Sequence, residues 1–177
     1  VRANILVPQE HLGNVITLPS PYDANLFVTG RATIGGADNF TIAPGQSQTT
    51  KTINDTIAEA VTVSFVETSF TSLQEVPGTA TFISGTATTV RVKDATEASN
   101  MSGASVTVTI EVQDANGNPV TSHALYTADV TDSHPQVTLL PTNISIPDGT
   151  ASVTIVATES GNSPKTATIT LAETSAT

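Results

Sequence analysis

The chain has 177 residues, a formal net charge of −10 at pH 7, no cysteine and no tryptophan. Six basic residues against sixteen acidic ones leave no positive surface for phosphate groups, which argues against nucleic-acid binding. The lack of cysteine excludes disulfides and zinc–thiolate sites, and no apolar run reaches the roughly 18 residues of a membrane-spanning helix. With 38% hydrophobic residues the chain can still bury a core, so we expect a folded protein.

Threonine and serine, 32 and 16 residues respectively, are placed with a regular period. In residues 106–112 Val and Ile alternate with Thr and Glu, and a similar alternation occurs in 61–65, 151–155 and 166–171. A period of two puts apolar side chains on one face of a strand and polar side chains on the other. The sequence therefore predicts an all-β protein whose threonines form the solvent-facing side of the strands.

The first 75 residues contain short strand-like runs separated by prolines. The runs lie at 5–7, 15–18, 26–28, 32–34 and 61–66. Because proline removes a ladder donor, we expect these stretches at sheet edges or in connections. Residues 53–60 fit a short helical turn capped by Asn54 or Asp55. We expect an extended segment over 1–18, and over 19–75 a small β-domain or extra strands on a common sandwich.

Residues 76–177 alternate strands and turns more regularly. We predict strands at 79–84, 88–93, 105–113, 124–130, 136–140, 143–146, 151–158 and 165–172. The Asn-Gly pair in Asp114-Ala-Asn-Gly-Asn-Pro119 predicts a hairpin turn, because both residues tolerate positive φ. Short strands at this spacing predict an antiparallel β-sandwich or barrel over 76–177, with extra N-terminal strands and with a jelly-roll-like variant as an alternative. The resemblance described next implies that this is an antiparallel Ig-like β-sandwich.

Residues 104–172 carry a resemblance to a known family. Val106-Thr-Val-Thr-Ile-Glu-Val-Gln-Asp114-Ala-Asn-Gly-Asn-Pro-Val120, Pro147-Asp-Gly-Thr-Ala-Ser-Val-Thr-Ile155 and Asn162-Ser-Pro-Lys-Thr-Ala-Thr-Ile169 resemble bacterial Ig-like domains of the invasin and intimin type. The resemblance implies an Ig-like sandwich of the kind that serves as a spacer in adhesins, phage tail proteins and surface enzymes. It does not carry a specific function. Residues 1–75 match no family that we can name.

The residues that could carry catalysis form no motif. The three histidines, His11, His123 and His134, do not stand at metal-ligand spacing, and no Gly-x-Ser-x-Gly elbow supplies a serine nucleophile. We therefore predict that the protein is not an enzyme and has no catalytic residues.

Calcium is the one cofactor that the oxygen-bearing side chains suggest. Asp114, Asn116 and Asn118 have the i, i+2, i+4 spacing of a calcium loop, but Pro119 stands where that loop needs glycine. A hairpin turn explains the same residues. Asp129 and Asp132 are further calcium candidates if loops converge there. We otherwise expect no cofactor.

Four Asn-x-Ser/Thr sequons mark candidate glycosylation sites at Asn39, Asn54, Asn100 and Asn143. Four is close to the number that chance gives in a chain so rich in Ser and Thr. Sugar binding by the chain itself is disfavoured, since Trp is absent and the tyrosines are only Tyr22 and Tyr126.

The N-terminal segment is a candidate donor strand. It contains Ile5, Leu6, Val7, Val15, Ile16 and Leu18, with no obvious partner nearby in sequence. Strand addition to a neighbouring subunit would give such a segment a partner and build a polymer. We therefore predict an extracellular or cell-surface, non-catalytic structural subunit that forms a filament or lattice with itself as partner. The alternatives are a spacer or adhesive module of a larger surface protein, with a glycan or host-protein ligand, and a phage virion or tail decoration protein.

Overall fold

The structure, a computed structural model, describes residues 2–6, 15–69, 75–93, 95, 103–161 and 165–175. Within these ranges the secondary structure is strand, bend and turn, and every strand pair is antiparallel. The prediction of an all-β fold is confirmed. No membrane-spanning helix is found in the described part of the chain.

The chain forms two compact units, Val1–Ile83 and Ser84–Thr177. The sequence pattern placed the boundary after residue 75, whereas the structure places it after Ile83. The reason is that strand β7, Gly78–Thr81, pairs with strand β6, Ala60–Glu67, through partners such as Ala60 and Thr81. The residues just before Ser84 therefore belong to the first unit.

The first unit contains two antiparallel sheets. Its strands are β1 Arg2–Leu6, β2 Tyr22–Val28, β3 Thr33–Gly35, β4 Asn39–Ile42, β5 Thr49–Asn54, β6 and β7. One sheet has the order β1-β5-β3 and the other the order β4-β2-β6-β7. The buried side chains of Leu26, Ile42, Ile53 and Val61 come from both sheets and form one apolar core. This unit therefore has a core of its own.

Part of the first unit departs from the sequence prediction. Strands β4 and β5 were not predicted, and residues 16–18 are not strand, although the Val15 backbone forms an isolated bridge. The prediction of a helical turn at 53–60 was wrong. Strand β5 continues to Asn54, the Asp55 carboxylate then accepts the Ile57 N–H at 2.8 Å, and β6 begins at Ala60. An Asx turn competes with a helix for the same backbone groups, and here it forms instead.

The second unit also contains two antiparallel sheets. Its strands are β8 Thr89–Val92, β9 Ser105–Gln113, β10 Tyr126–Asp132, β11 Val137–Leu140, β12 Asn143–Ile146, β13 Ser152–Glu159 and β14 Ile169–Glu173. These bounds lie within a few residues of the predicted strands. The sheet orders are β11-β13-β9-β8 and β12-β10-β14. From its other edge the first sheet has the order β8-β9-β13-β11, which matches the strand order A-B-E-D in one sheet of an Ig-like sandwich. Strand β12 is then an additional strand between D (β11) and E (β13).

Alternation along the strands builds the core of the second unit. Val108, Ile110 and Ile155 point inward and are at most 3% exposed. In the ladder Ile155 lies opposite Val108 and Val153 lies opposite Ile110, so β9 and β13 present one continuous apolar face. Buried residues of the other sheet, such as Val130, belong to the same cluster. The threonines between the inward positions face outward, as predicted.

Candidate functional site

The predicted donor strand pairs within its own chain in this structure. The backbone of β1 forms an antiparallel ladder with β5, in which Ala3 lies opposite Lys51. Of the predicted assembly residues, Ile5 and Leu6 lie in β1, and Val7 lies outside the described residues. The others separate: Leu18 is buried in the core, Ile16 packs against that core, and Val15 is 56% exposed. Val15, Ile16 and Leu18 therefore do not form one continuous docking face.

Asp114 holds the predicted hairpin together. Its carboxylate oxygens accept the backbone N–H groups of Gly85 and Asn116 at 2.8 Å and of Asn118 at 2.9 Å, and also the Asn118 side-chain amide. These hydrogen bonds, the one from the Asn118 side chain first and the one from Gly85 next, hold the pKa of Asp114 below its usual range. Gly117 occupies the left-handed region with φ of 83°. The carboxylate that looked like a calcium ligand therefore ties the hairpin to the start of the unit.

The other predicted calcium ligands do not share a face. Asp129 and Asp132 are three residues apart on β10, and successive side chains of a strand alternate between its two faces. Asp129 is exposed, whereas an Asp132 carboxylate oxygen accepts the His134 N–H at 2.9 Å. Across the described ranges, no three side chains of His, Asp or Glu lie together as a metal-binding group would require.

The described histidines contact the backbone of the loops. The His123 ring nitrogens lie 2.7 Å from the Ala124 carbonyl oxygen and 2.8 Å from the Thr150 carbonyl oxygen. The Nδ1 atom of His134 accepts the Gln136 N–H at 3.2 Å in the turn between β10 and β11. His11 lies outside the described residues.

The described sequon asparagines lie at the surface. Asn39 begins β4, Asn54 ends β5 and Asn143 begins β12, and each is exposed. Asn100 lies outside the described residues.

Two carboxylates and a tyrosine meet in the first unit, an arrangement that the sequence did not indicate. The Glu67 N–H donates to a Glu75 carboxylate oxygen. Burial, and next the nearby Glu75 carboxylate, raise the pKa of Glu67. Burial first, then Glu75 and Glu67, also raise the pKa of Tyr22 to about 12. Tyr22 belongs to the core and contacts the rings of Phe40 and Phe65. The two glutamates therefore lie near a ring that packs into the core of the first unit.

A cavity of about 640 Å³ lies in the second unit between the sheet β11-β13-β9-β8 and residues 165–169, which lead into β14. Its apolar lining includes Val92, Val106, Val137 and Ile169. Glu159, at the end of β13, also lines it and is 9% exposed. Sequence reasoning missed Glu159 because it stopped the strand at residue 158. Extending the predicted strand by one residue would have placed the Glu159 carboxylate on its inward face.

Some large apolar side chains lie at the surface. Leu140 and Val156 face each other across β11 and β13 and are 66% and 41% exposed. In the first unit Phe27 and Val66 project from the outer face of neighbouring strands β2 and β6 and are also about half exposed. Paired exposed apolar residues are candidate contact surfaces.

Comparison with known proteins finds similarity among solved structures. No family model matches the chain, and no curated protein matches it. The D0-D1 domain of Intimin is a similar solved structure, with 13% sequence identity, a TM-score of 0.33, and coverage of 90% of this chain and 77% of that chain. Because the TM-score is low, the description of the fold rests on the strand pairing and the two cores.

Proposed function

We propose that the protein is a non-catalytic structural module of a surface protein, in which two β-sandwich units act as a spacer. The observation that carries the proposal is that each unit has its own apolar core between its own antiparallel sheets. Units of this kind retain their shape independently and can be joined in series. The threonine-rich outer faces keep such a chain soluble without many charges.

The contacts of the polar side chains support a structural role. Asp114 uses its carboxylate to hold a turn, His123 lies 2.8 Å from the Thr150 carbonyl oxygen of another loop, and His134 accepts a backbone N–H within its own turn. A catalytic base would need to face a substrate and to transfer a proton. These groups instead make hydrogen bonds to the backbone.

Single-molecule stretching tests the spacer proposal. We expect two separate unfolding events, each releasing about 30 nm of chain at roughly 3.6 Å per residue. One event that releases the whole length would contradict two units in series. Antibody labelling of intact, unpermeabilised source cells tests the surface location, and labelling seen only after permeabilisation would contradict it.

Self-assembly is the finer proposal, and the β1–β5 ladder supports a route to it. If β1 of one chain paired with β5 of the next, the same backbone hydrogen bonds would join two subunits, as in domain swapping. The exposed Leu140–Val156 pair beside the sheet edge at β11 offers a second contact surface.

Electron microscopy and light scattering test this assembly. We expect polymers of the full chain and loss of polymers on deletion of residues 1–18, with partial rescue of the first unit's stability by a peptide of residues 1–18. Polymers that survive the deletion would remove the strand-addition route. A strictly monomeric full chain would overturn assembly altogether. Leu140→Ser is the matched variant for the second contact surface.

Adhesion is the second candidate function, and the exposed Phe27 and Val66 favour it. They lie on a sheet face beside Asn25 and Ser64, so apolar and hydrogen-bonding groups are adjacent. Such a face suits a glycan or a host protein. A glycan array should show saturable binding by the monomer that is lost in Phe27→Ser, and binding unaffected by that change would refute this face as the site.

A further inference from the structure

The smaller sheet of the second unit has an open side at β14. In a seven-stranded Ig-like sandwich, strands C, F and G form one sheet beside the A-B-E-D sheet. With β8, β9, β11 and β13 as A, B, D and E, strand β10 takes the position of C and β14 that of F. Among the described residues no strand occupies the position of G, because the sheet has the order β12-β10-β14. The sandwich therefore has room for one more strand beside β14.

The ladder between β10 and β14 shows which backbone groups face this open side. The Thr174 N–H donates to the Thr127 carbonyl oxygen at 2.8 Å, in the register that places Leu171 opposite Val130. Hydrogen-bonded and non-hydrogen-bonded pairs alternate along an antiparallel ladder, so the even-numbered residues of β14 bond to β10. The odd-numbered residues, including Leu171, direct their N–H and C=O groups to the open side. Strand β14 therefore offers a row of backbone donors and acceptors to a further strand.

The core beneath this edge is only partly covered. Ile169 and Leu171 on β14 pack against the core of the second unit but are partly exposed, whereas Ile110 is fully buried. The cavity of about 640 Å³ lies beside the start of β14, and Val92, Val106 and Ile169 line it. Aliphatic side chains of an added strand would cover these groups and remove apolar surface from water.

Strand β14 also lacks the residues that commonly protect an edge strand. Proteins protect such edges with lysine or proline, because free backbone groups pair with other chains. Pro141 and Pro147 flank β12, the other edge of the same sheet. The segment Ile169–Glu173 contains neither lysine nor proline. This edge is therefore open to strand addition.

Residues 1–7 have the sequence of a fitting strand. Their alternate positions are aliphatic and are occupied by Val1, Ala3, Ile5 and Val7. An extended segment with this pattern presents one aliphatic face. In its own chain β1 lies at the edge of the sheet β1-β5-β3 and pairs with β5 alone, an arrangement that permits exchange between chains. Antiparallel pairing with β14 would bring Arg2, the single charged residue of 1–7, to the end of the strand at which Glu173 lies.

We propose that residues 1–7 of a second copy of this chain add to β14 as an antiparallel strand, with their aliphatic face over the cavity. The proposal rests on the self-assembly proposed above and names β14, in place of β5, as the acceptor of the donor strand. Donor and acceptor are different surfaces of the chain, so the contact is heterologous and repeats from one copy to the next unless it closes into a ring.

Disulfide trapping between two full chains tests the proposal, because the native chain contains no cysteine. One chain carries Asn4→Cys, and the other carries Thr170→Cys or Ala172→Cys. Asn4 faces one of these two positions when Ile5 lies opposite an inward residue of β14. Such a pair is not hydrogen-bonded, and its Cα atoms lie about 4.5 Å apart, within the range of a disulfide. After mild oxidation we expect a crosslinked dimer with at least one of the two β14 variants.

Two further acceptor variants serve as controls. Thr131 is exposed and lies opposite Thr170 in the same sheet, but it belongs to the central strand β10, to which no strand can be added. Thr131→Cys is therefore the matched control, and we expect no dimer with it. Thr50→Cys tests exchange between β1 and β5, because Asn4 lies opposite Thr50 in that ladder.

The outcomes separate this acceptor from self-assembly in general. Polymers of the full chain without dimers at either β14 position would overturn the β14 acceptor and leave self-assembly standing. Dimers with Thr50→Cys alone would assign the donor strand to β5 instead. Dimers with Thr131→Cys as abundant as those with the β14 variants would indicate random collision and would also overturn the β14 acceptor. A full chain that is strictly monomeric by light scattering and forms no dimers would overturn both proposals.

Discussion

Leu26 provides the sharpest test of whether each unit is stabilised by its own core. Its side chain is 1% exposed and lies in the core of the first unit. Replacing it with alanine removes most of the side chain and leaves a cavity, which costs about 3 kcal/mol of unfolding free energy at comparable buried sites. For a unit of this size, that loss lowers the Tm by roughly 12–24 °C.

The two tyrosines make the assay specific to each unit. Tyr22 lies in the core of the first unit and Tyr126 on β10 of the second, and the chain has no tryptophan. Tyrosine fluorescence therefore follows the first unit in a Tyr126→Phe background and the second unit in a Tyr22→Phe background. We expect Leu26→Ala to lower only the first midpoint. We expect Ile110→Ala, at a fully buried position of the second core, to lower only the second.

Val66→Ala is the matched control for the core substitution. Val66 is 53% exposed on the outer face of the same sheet, so its truncation should change the unfolding free energy by less than about 0.5 kcal/mol. A shift of both midpoints by one core substitution would refute the reasoning, since the two cores would then unfold as one. An unchanged first midpoint in Leu26→Ala would refute the place of Leu26 in the core.

Three further predictions concern titration and strand pairing. Because burial raises the pKa of Tyr22 to about 12, the first unit should lose stability as the pH rises from about 10, where unfolded tyrosine ionises, through 12. Ultraviolet titration of Tyr126→Phe measures the ionisation of Tyr22, and Glu75→Gln should move that ionisation to lower pH. Because the pKa of Asp114 is lowered in the folded state, its carboxylate stabilises the fold above about pH 4, and this stabilisation is lost as the pH falls toward the folded-state pKa. The unfolding free energies measured with urea at pH 7 and pH 3 should therefore differ less in Asp114→Asn than in the native chain. Successive N–H groups of the edge strand β1 point alternately toward β5 and away from it, so one of Ala3→Pro and Asn4→Pro removes a ladder donor and should destabilise the first unit only, which the same fluorescence assay detects. Unchanged midpoints in both variants would contradict the β1–β5 ladder.

The candidate site was partly predictable. The Asp-x-Asn-Gly-Asn-Pro sequence identified the hairpin, and the structure explains Asp114 through its hydrogen bonds to Gly85 and Asn118. Gly85 is 29 residues from Asp114 in the chain, so no local pattern could name it as a partner. Glu159 was missed because the predicted strand stopped at residue 158, one residue short of the strand in the structure. The cavity that Glu159 lines could not be predicted, because it is formed by side chains from several distant strands.

The sequence by itself determined where most strands of the second unit lie and which side of each strand faces inward. It could do so because the alternation of Val and Ile with Thr is a local property with a period of two. The tertiary structure alone decided which strands are neighbours. Strand β1 pairs with β5, β7 pairs with β6 in the first unit, and β9 pairs with β13 across three intervening strands. Alternation specifies the face of a strand but not its partner, because that choice depends on which long-range pairing closes a common core.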